Sequence, residues 1–252
     1  MKLQGKLNTP KKAVKAGSGY IVYEGASRFD RKPIVAIITM NTTNEKTGNM
    51  AQLWILRSDI EPHQAIKTGD DQSICGGCIH RHHTGGACYV TVHQAPLAVY
   101  RAYKRGNYRA IDSSEYKSIF GGKGLRFGAY GDPAMIPTSI VKGLSDAALF
   151  TTGYTHQWKI KRLQDTLEYV QASVDNLKEY LQVKEIKPSA KSFRVVKNQT
   201  DLMPNEIECL ADSHGLSCAQ CKKCDGKTQD IAIMVHGFKA GKFKADIETV
   251  NV

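Results

Sequence analysis

The seven cysteines of this chain fall into two groups, and both groups lie in loops that also contain glycine. The second group consists of Cys209, Cys218, Cys221 and Cys224, and its last three members stand at steps of three residues in the stretch CAQCKKCDG. Cysteines this close in sequence rarely form disulfides with each other, whereas closely spaced thiolates bind zinc or iron–sulfur clusters. The odd total also argues against complete pairing. The spacing therefore predicts that the cysteines are metal ligands.

The second group matches two kinds of metal site. Four thiolates are the full complement of a [4Fe–4S] cluster, and they also close a tetrahedral site around one zinc ion. Three thiolates on one turn can each bind a different corner of a cube about 3 Å on edge. To bind a single ion, the same turn would have to bring all three sulfur atoms to one position. The spacing favours the iron–sulfur cluster, and zinc is the alternative.

The first group supplies only three thiolates. They are Cys75, Cys78 and Cys88. The same loop, SICGGCIHRHHTGGACYV, carries the histidines His80, His82 and His83. If this loop holds a second [4Fe–4S] cluster, one iron is left open or takes a histidine. If it holds zinc, one histidine completes a Cys3His site. In a third arrangement the two loops share one metal centre.

An open iron in a three-thiolate cluster can bind a small molecule and transfer an electron to it. Clusters of this kind occur in enzymes that split S-adenosylmethionine to a radical, where the cysteines usually follow the pattern Cys-x3-Cys-x2-Cys. Here the spacing is Cys75-x2-Cys78-x9-Cys88, which departs from that pattern. S-adenosylmethionine is therefore a candidate co-substrate that the spacing alone does not identify.

The elements that position these loops follow from the apolar periodicity. The runs 33–40 and 51–56 predict strands, and the Asn- and Gly-containing stretch between them suits a turn, so we expect a β-hairpin. From residue 125 onwards, short apolar runs alternate with helical segments. This alternation predicts an α/β fold with a mostly parallel sheet, either open or curled into a partial barrel. We expect one metal-binding domain over residues 19–252, behind a flexible basic arm at 1–18.

The individual elements are predicted as follows. The strands after the hairpin cover residues 125–130, 148–154, 166–174, 192–197 and 230–237, and the helices cover 94–108, 136–147 and 175–183. The spacing of 166–174 also fits a helix. In parallel sheets, ligands bind at the C-terminal ends of the strands. A candidate pocket follows from the polar residues at those ends: Asp132, Tyr154, Thr155, His156, Ser173, Asp175 and His236. Each of them could equally be an ordinary strand-end or loop residue without a role in binding.

The net charge and the N-terminal sequence indicate where the protein acts and what it binds. The chain has 35 Lys and Arg against 24 Asp and Glu, a net charge of +11, which favours nucleic acid or another anionic partner. The N-terminus has no apolar run of the kind found in signal peptides, and no segment approaches the roughly 20 apolar residues of a membrane span. We therefore expect a cytoplasmic protein without a membrane partner, in a reducing compartment where cysteines bind metals. No pattern indicates an oligomeric state.

The order of the motifs resembles a family of phage-encoded proteins. The stretches that carry the resemblance include MAQLWILRSDIEP, SICGGCIHR, LRFGAYGDPAMIP, TTGYTHQW, QASVDN, FRVV and DIAIMVHG, over residues 33 to 238. Together they resemble the uncharacterised gene-product-88-like family. The resemblance implies a viral protein that acts in the cytoplasm of an infected bacterium. It also implies an iron–sulfur protein whose barrel is related to that of the radical S-adenosylmethionine enzymes.

Three functional hypotheses follow. The first is an iron–sulfur protein that carries out redox or radical chemistry, on a nucleic acid or a nucleotide. The second is a protein without catalytic activity, in which the metal organises long loops and the basic surface binds nucleic acid or a host protein. The third is a zinc-dependent hydrolase, which requires a site for a metal-bound water.

Overall fold

Two β-sheets form the framework of the computed structural model, which describes residues 19–237 and 239–243. The basic arm predicted at 1–18 lies outside the described residues. The strands are β1 (Gly19–Ala26), β2 (Pro33–Thr39), β3 (Ala51–Arg57), β4 (Arg109–Ala110), β5 (Gly124–Tyr130), β6 (Phe150–Thr152), β7 (Tyr154–Thr155), β8 (Gln171–Val174), β9 (Ser192–Val196), β10 (Glu206–Glu208) and β11 (Asp230–Met234). The helices are α1 (Pro62–Thr68), α2 (Gln72–Cys75), α3 (Ala95–Lys104), α4 (Tyr116–Phe120), α5 (Thr138–Ala147), α6 (Leu177–Ile186), α7 (Leu210–Ser213) and α8 (Cys218–Cys221).

The first sheet has six strands in the order β4-β1-β2-β3-β5-β6. Strands β2 and β3 pair antiparallel, with Ile34 opposite Arg57 and Thr39 opposite Gln52, which confirms the predicted hairpin. Strand β1 is antiparallel to β2, while β4, β5 and β6 join their neighbours in parallel. The consecutive apolar residues 34–38 of β2 are all 0% exposed, because both faces of this sheet are covered.

The second sheet has five strands in the order β10-β11-β9-β8-β7, and every neighbouring pair is parallel. Parallel neighbours need a crossover connection, and α6 provides one between β8 and β9. The side chain of Asn176 caps α6 by accepting a hydrogen bond of 2.9 Å from the backbone N–H of Glu179. The predicted alternation of strands and helices in the second half of the chain is thus confirmed.

One extended segment belongs to both sheets. Strand β6 pairs with β5 in the first sheet, β7 pairs with β8 in the second sheet, and only Gly153 separates them. A Cβ atom at position 153 would lie 2.7 Å from Phe127 Cβ and 3.2 Å from Val170 Cγ1. The segment can therefore pass from one sheet to the other only because residue 153 has no side chain.

The prediction of one sheet, open or curled into a partial barrel, has to be revised. The described residues form two sheets, and neither closes into a barrel. The prediction of a strand over 166–174 is correct only for Gln171–Val174, since Lys161–Glu168 forms a 3-10 helix. Leu163 and Thr166 lie three residues apart, which is one turn of a 3-10 helix, and both are 0% exposed, so they lie on its buried face.

The three predicted helices are confirmed as α3, α5 and α6. Helix α3 has Pro96 in its first turn and is followed by Gly106 with a φ of 72°. Within the described part of the chain, no helix combines the length and the apolar character that a membrane span needs.

The junction between the two sheets gives a first testable prediction. We expect Gly153→Ala to lower the free energy of unfolding by about 1–3 kcal/mol, because the new methyl group overlaps the buried side chain of Phe127 in β5 and presses on that of Val170, which directly precedes β8. Urea unfolding followed by circular dichroism measures this change. Gly122→Ala is the matched control, since a Cβ at position 122 meets no atom within 4 Å. Equal unfolding midpoints for the two variants would contradict the proposed close passage at Gly153.

Candidate metal centre

A cavity of about 230 Å³ brings the two cysteine groups together. Six of the seven cysteines line it, namely Cys75, Cys78, Cys88, Cys209, Cys218 and Cys224. One wall is a face of the second sheet, formed by alternating residues such as Phe193 and Val195 of β9. Loops that are far apart in sequence therefore converge on one interior space.

The three cysteines of the first group are partly buried. Burial raises the pKa of the Cys75 thiol well above its usual value, and the neighbouring Cys78 raises it further. Burial also raises the pKa of Cys88, to about 11. All seven cysteines are free thiols in the structure. A metal that binds here must therefore displace thiol protons, as metals at thiolate sites do.

The second group of cysteines is held by the hairpin and by the second sheet. The backbone N–H of Cys218 donates to the carbonyl of Lys46 in the turn between β2 and β3, at 2.8 Å. The N–H of Cys209 donates to the carbonyl of Ala232 in β11 at 2.8 Å, and the N–H of Gly153 donates to the carbonyl of Cys224 at 3.2 Å. The hairpin turn thus positions a cysteine loop, a role that the sequence does not indicate.

Within this group the thiols affect one another. Burial raises the pKa of Cys224 far above its usual value, and Cys209, Cys218 and Cys221 raise it further. Cys221 does not line the cavity, but it contributes to the raised pKa values of both Cys218 and Cys224. The four sulfur atoms therefore form one electrostatic group.

The separation of the sulfur atoms bears on the choice of metal. In a tetrahedral zinc site with bonds of about 2.3 Å, the sulfurs lie about 3.8 Å apart. Across the described ranges 19–237 and 239–243, no three cysteine sulfurs lie within 4.8 Å of one another. Thiolates around an iron–sulfur cube are further apart, because each binds a different iron. The described cysteine sulfurs are therefore not held in the arrangement of a single-ion site.

A buried ion pair shapes the loop that carries the first cysteine group. Arg81 donates from Nη2 to Asp71 Oδ1 at 2.6 Å and from Nε to Oδ2 at 3.1 Å, and both side chains are less than a tenth exposed. Arg81 also donates to the carbonyls of Gly76 and Gly69, at 3.3 and 2.9 Å. A buried guanidinium with a bidentate partner has few alternative positions, so it fixes the path of this loop.

Gln157 connects the same loop to the second sheet. Its Nε2 donates to the carbonyl of Cys75 at 3.0 Å and to Asp132 Oδ2 at 3.2 Å. Its Oε1 accepts a hydrogen bond of 3.1 Å from the backbone N–H of Gly77. Gln157 is only 1% exposed. The only feature of the sequence that points to Gln157 is its place directly after the strand-end residue His156.

Most of the predicted strand-end residues meet at the cavity. Its lining includes Asp132, Tyr154, His156, Ser173 and His236. Thr155 is not part of the lining, because it is 0% exposed and its hydroxyl accepts a hydrogen bond of 2.9 Å from the N–H of Gln157. Burial raises the pKa of Asp132, although hydrogen bonds from Thr155 and from two backbone N–H groups oppose the rise. Whether these residues are catalytic stays a prediction.

An Arg–Tyr–Tyr chain borders the cavity next to the second cysteine group. Arg126 Nη2 donates to the Tyr89 hydroxyl at 2.7 Å, and that hydroxyl lies 3.3 Å from the hydroxyl of Tyr154. The Tyr154 ring stacks on Phe193 with centroids 4.3 Å apart. Arg126 lies within β5, and only the fold shows that its positive charge acts on Cys218.

Comparison of the chain with protein-family models, with curated proteins and with solved structures finds no match. The resemblance to the gene-product-88-like family therefore stays a prediction that depends on the motifs quoted above. The function has to be inferred from the geometry of the cavity and its ligands.

Proposed function

We propose that this chain is an iron–sulfur protein with two cluster sites on one cavity. One [4Fe–4S] cluster binds to the second cysteine group, Cys209, Cys218, Cys221 and Cys224. Another binds to the first group, Cys75, Cys78 and Cys88. The observation that carries this proposal is the convergence of six cysteines on a single cavity from loops far apart in sequence.

The second group has the ligands and the charge for a closed cluster. Its four thiolates occupy all four irons of a cube. Two cations, Lys46 and Arg126, line the cavity and lower the pKa of Cys218 against the effect of burial. Positive charges next to thiolates offset the negative charge that the cluster brings into the protein. This cluster stabilises the loop around α8 and serves as an electron store.

The first group leaves one iron without a cysteine. A cluster held by Cys75, Cys78 and Cys88 would therefore have one position open to a small-molecule ligand. Tyr130 lines the same cavity, and its hydroxyl is buried without a hydrogen-bond partner among the described residues. Burial raises the pKa of this hydroxyl well above its usual value, and Cys75 and Cys88 raise it further. A buried donor without a partner suits a cluster sulfur or a ligand on the open iron, since buried polar groups are normally paired. Redox or radical chemistry on that ligand is the proposed activity.

The ligand class follows from charge and from the chemistry of three-cysteine clusters. S-adenosylmethionine is the candidate co-substrate, and the net charge of +11 supports a nucleotide or a nucleic acid as the substrate. The same charge supports the alternative function, a protein without catalytic activity whose clusters only fix the loops while its surface binds nucleic acid.

The metal content of protein purified without oxygen tests the proposal. We expect about eight iron and eight acid-labile sulfide per chain and broad absorption near about 400 nm. Colourless protein with stoichiometric zinc and no sulfide would refute it. Incubation of the reduced protein with S-adenosylmethionine then separates the two functions: cleavage products support the radical enzyme, and their absence supports the binding protein.

A further inference from the structure

A second type of ligand cluster lies beside the first cysteine group and contains no cysteine. The ligand atoms of His80, His156 and Asp175 all lie within 4.8 Å of one another. Asp175 Oδ1 lies 3.3 Å from His80 Nε2 and 3.4 Å from His156 Nε2. The three side chains are 16%, 10% and 10% exposed. Two imidazoles and a carboxylate in a mostly buried site are a ligand set for a divalent transition metal ion.

The fold explains why these residues meet. His156 directly follows β7 and Asp175 directly follows β8, and these strands are parallel neighbours. Their C-terminal ends therefore lie side by side at the cavity edge. His80 reaches the same point from the loop of the first cysteine group, and its ring packs edge-on against that of His156, with centroids 5.7 Å apart. Three separate segments thus contribute one ligand each.

The distances match those in a metal site. Two ligand atoms that are each about 2.1 Å from a zinc ion, at a tetrahedral angle, lie about 3.4 Å apart. The two nitrogen–oxygen distances given above agree with this value. The other carboxylate oxygen, Asp175 Oδ2, is buried without a hydrogen-bond partner among the described residues, and Lys159 Nζ lies 3.5 Å from it. The Asp175 carboxylate therefore has one oxygen, Oδ2, that accepts no hydrogen bond among the described residues.

We propose that His80, His156 and Asp175 form a mononuclear site for a divalent transition metal ion, separate from the iron–sulfur clusters. Both histidines line the cavity, so a metal ion held by them would be accessible from it. The Ser173 hydroxyl lies 3.1 Å from His156 Nε2 and is the nearest side-chain hydroxyl to this site in the described contacts. A metal with three protein ligands binds water or an oxygen of an anionic ligand, such as a carboxylate or a phosphate, at its free position. The site shares no ligand with the proposed clusters, so it goes beyond the proposed function.

Titration of untagged, oxygen-free protein with Co2+ and Zn2+ tests this site. We expect the wild-type chain to bind one equivalent of Co2+ with visible d–d absorption, and Zn2+ to displace it. Asp175→Asn keeps the shape of the side chain but removes its charge, and His80→Ala removes a ligand from a loop. Each should weaken Co2+ binding roughly a hundredfold or more, since even residues that only support a ligand contribute tenfold to a hundredfold.

The matched control is His83→Ala, which removes an exposed histidine of the same loop. It should bind Co2+ like the wild type. Wild-type affinity in both Asp175→Asn and His80→Ala would overturn the proposal. So would loss of iron and sulfide from His80→Ala, since His80 would then be a ligand of the cluster. If the purified protein contains no sulfide but Asp175→Asn still loses Co2+ binding, the iron–sulfur proposal is refuted and the mononuclear site is supported. The two proposals can therefore fail independently.

Discussion

We expect replacement of Cys218 and Cys224 with serine to remove about half of the iron and sulfide, and replacement of Cys75 and Cys88 to remove the other half. The reason is that each cysteine group is proposed to hold its own cluster. The thiols that raise the pKa of Cys224 all belong to the second group, and those that raise the pKa of Cys75 all belong to the first. Each double variant should therefore retain about four iron and four sulfide per chain.

Iron, sulfide and zinc analyses on oxygen-free protein measure this effect, and the absorption near about 400 nm should halve with them. Ala219→Ser is the matched control, because it adds the same hydroxyl between Cys218 and Cys221 without removing a thiol. It should retain the full metal content. Loss of all iron in both double variants would instead mean that the two loops share one metal centre.

The stability of the two double variants should differ from that of wild-type protein as well. A bound cluster contributes its binding free energy to folding, because the ligands are dispersed in the unfolded chain. We therefore expect both variants to unfold at lower temperature than the control. This comparison distinguishes a cluster that holds the fold together from iron that is only adsorbed.

Gly76→Ala should strongly destabilise the loop of the first cysteine group. Gly76 has a φ of 56° and a ψ of −130°, a conformation that residues with a Cβ rarely adopt. A Cβ there would also lie 2.1 Å from Gln157 Oε1 and 2.7 Å from Met135 Cε. We expect the free energy of unfolding to fall by about 3 kcal/mol or more, as backbone strain and overlap combine.

The neighbouring glycine provides the control. A Cβ at Gly77 meets no atom within 4 Å, and Gly77 is exposed, so Gly77→Ala should change the unfolding free energy by less than about 1 kcal/mol. Urea unfolding gives both values, and the iron content shows whether the first cluster is lost with the stability. Similar curves for the two variants would show that the Gln157 contact is not important for this loop.

The sequence predicted the features that depend on local pattern. The hairpin, the parallel strands of the second half and the helices α3, α5 and α6 follow from apolar periodicity and from turn residues, and the structure confirms them. Most of the strand-end residues meet at the cavity because the C-terminal ends of parallel strands lie together. Local pattern also separated the cysteines into two groups by sequence, and six of the seven line one cavity.

The remaining features depend on contacts between distant segments. The run 148–154 reads as one strand, and nothing in it indicates that its pairing partner changes at Gly153. Gln157 and Arg81 look like ordinary polar residues, and only the fold shows that they hold the first cysteine loop. The ligand set of His80, His156 and Asp175 combines a loop with two strand ends, so no spacing in the sequence could predict it.

The passage of one strand between the sheets has a consequence for how this protein can be divided. The N-terminal half carries the first cysteine group, yet the wall that faces this group comes from the second sheet. The C-terminal half carries the second group, yet its loop rests on the hairpin turn and on the amide of Gly153. Neither half is a self-contained module, so the two halves have to be inherited, exchanged or engineered together.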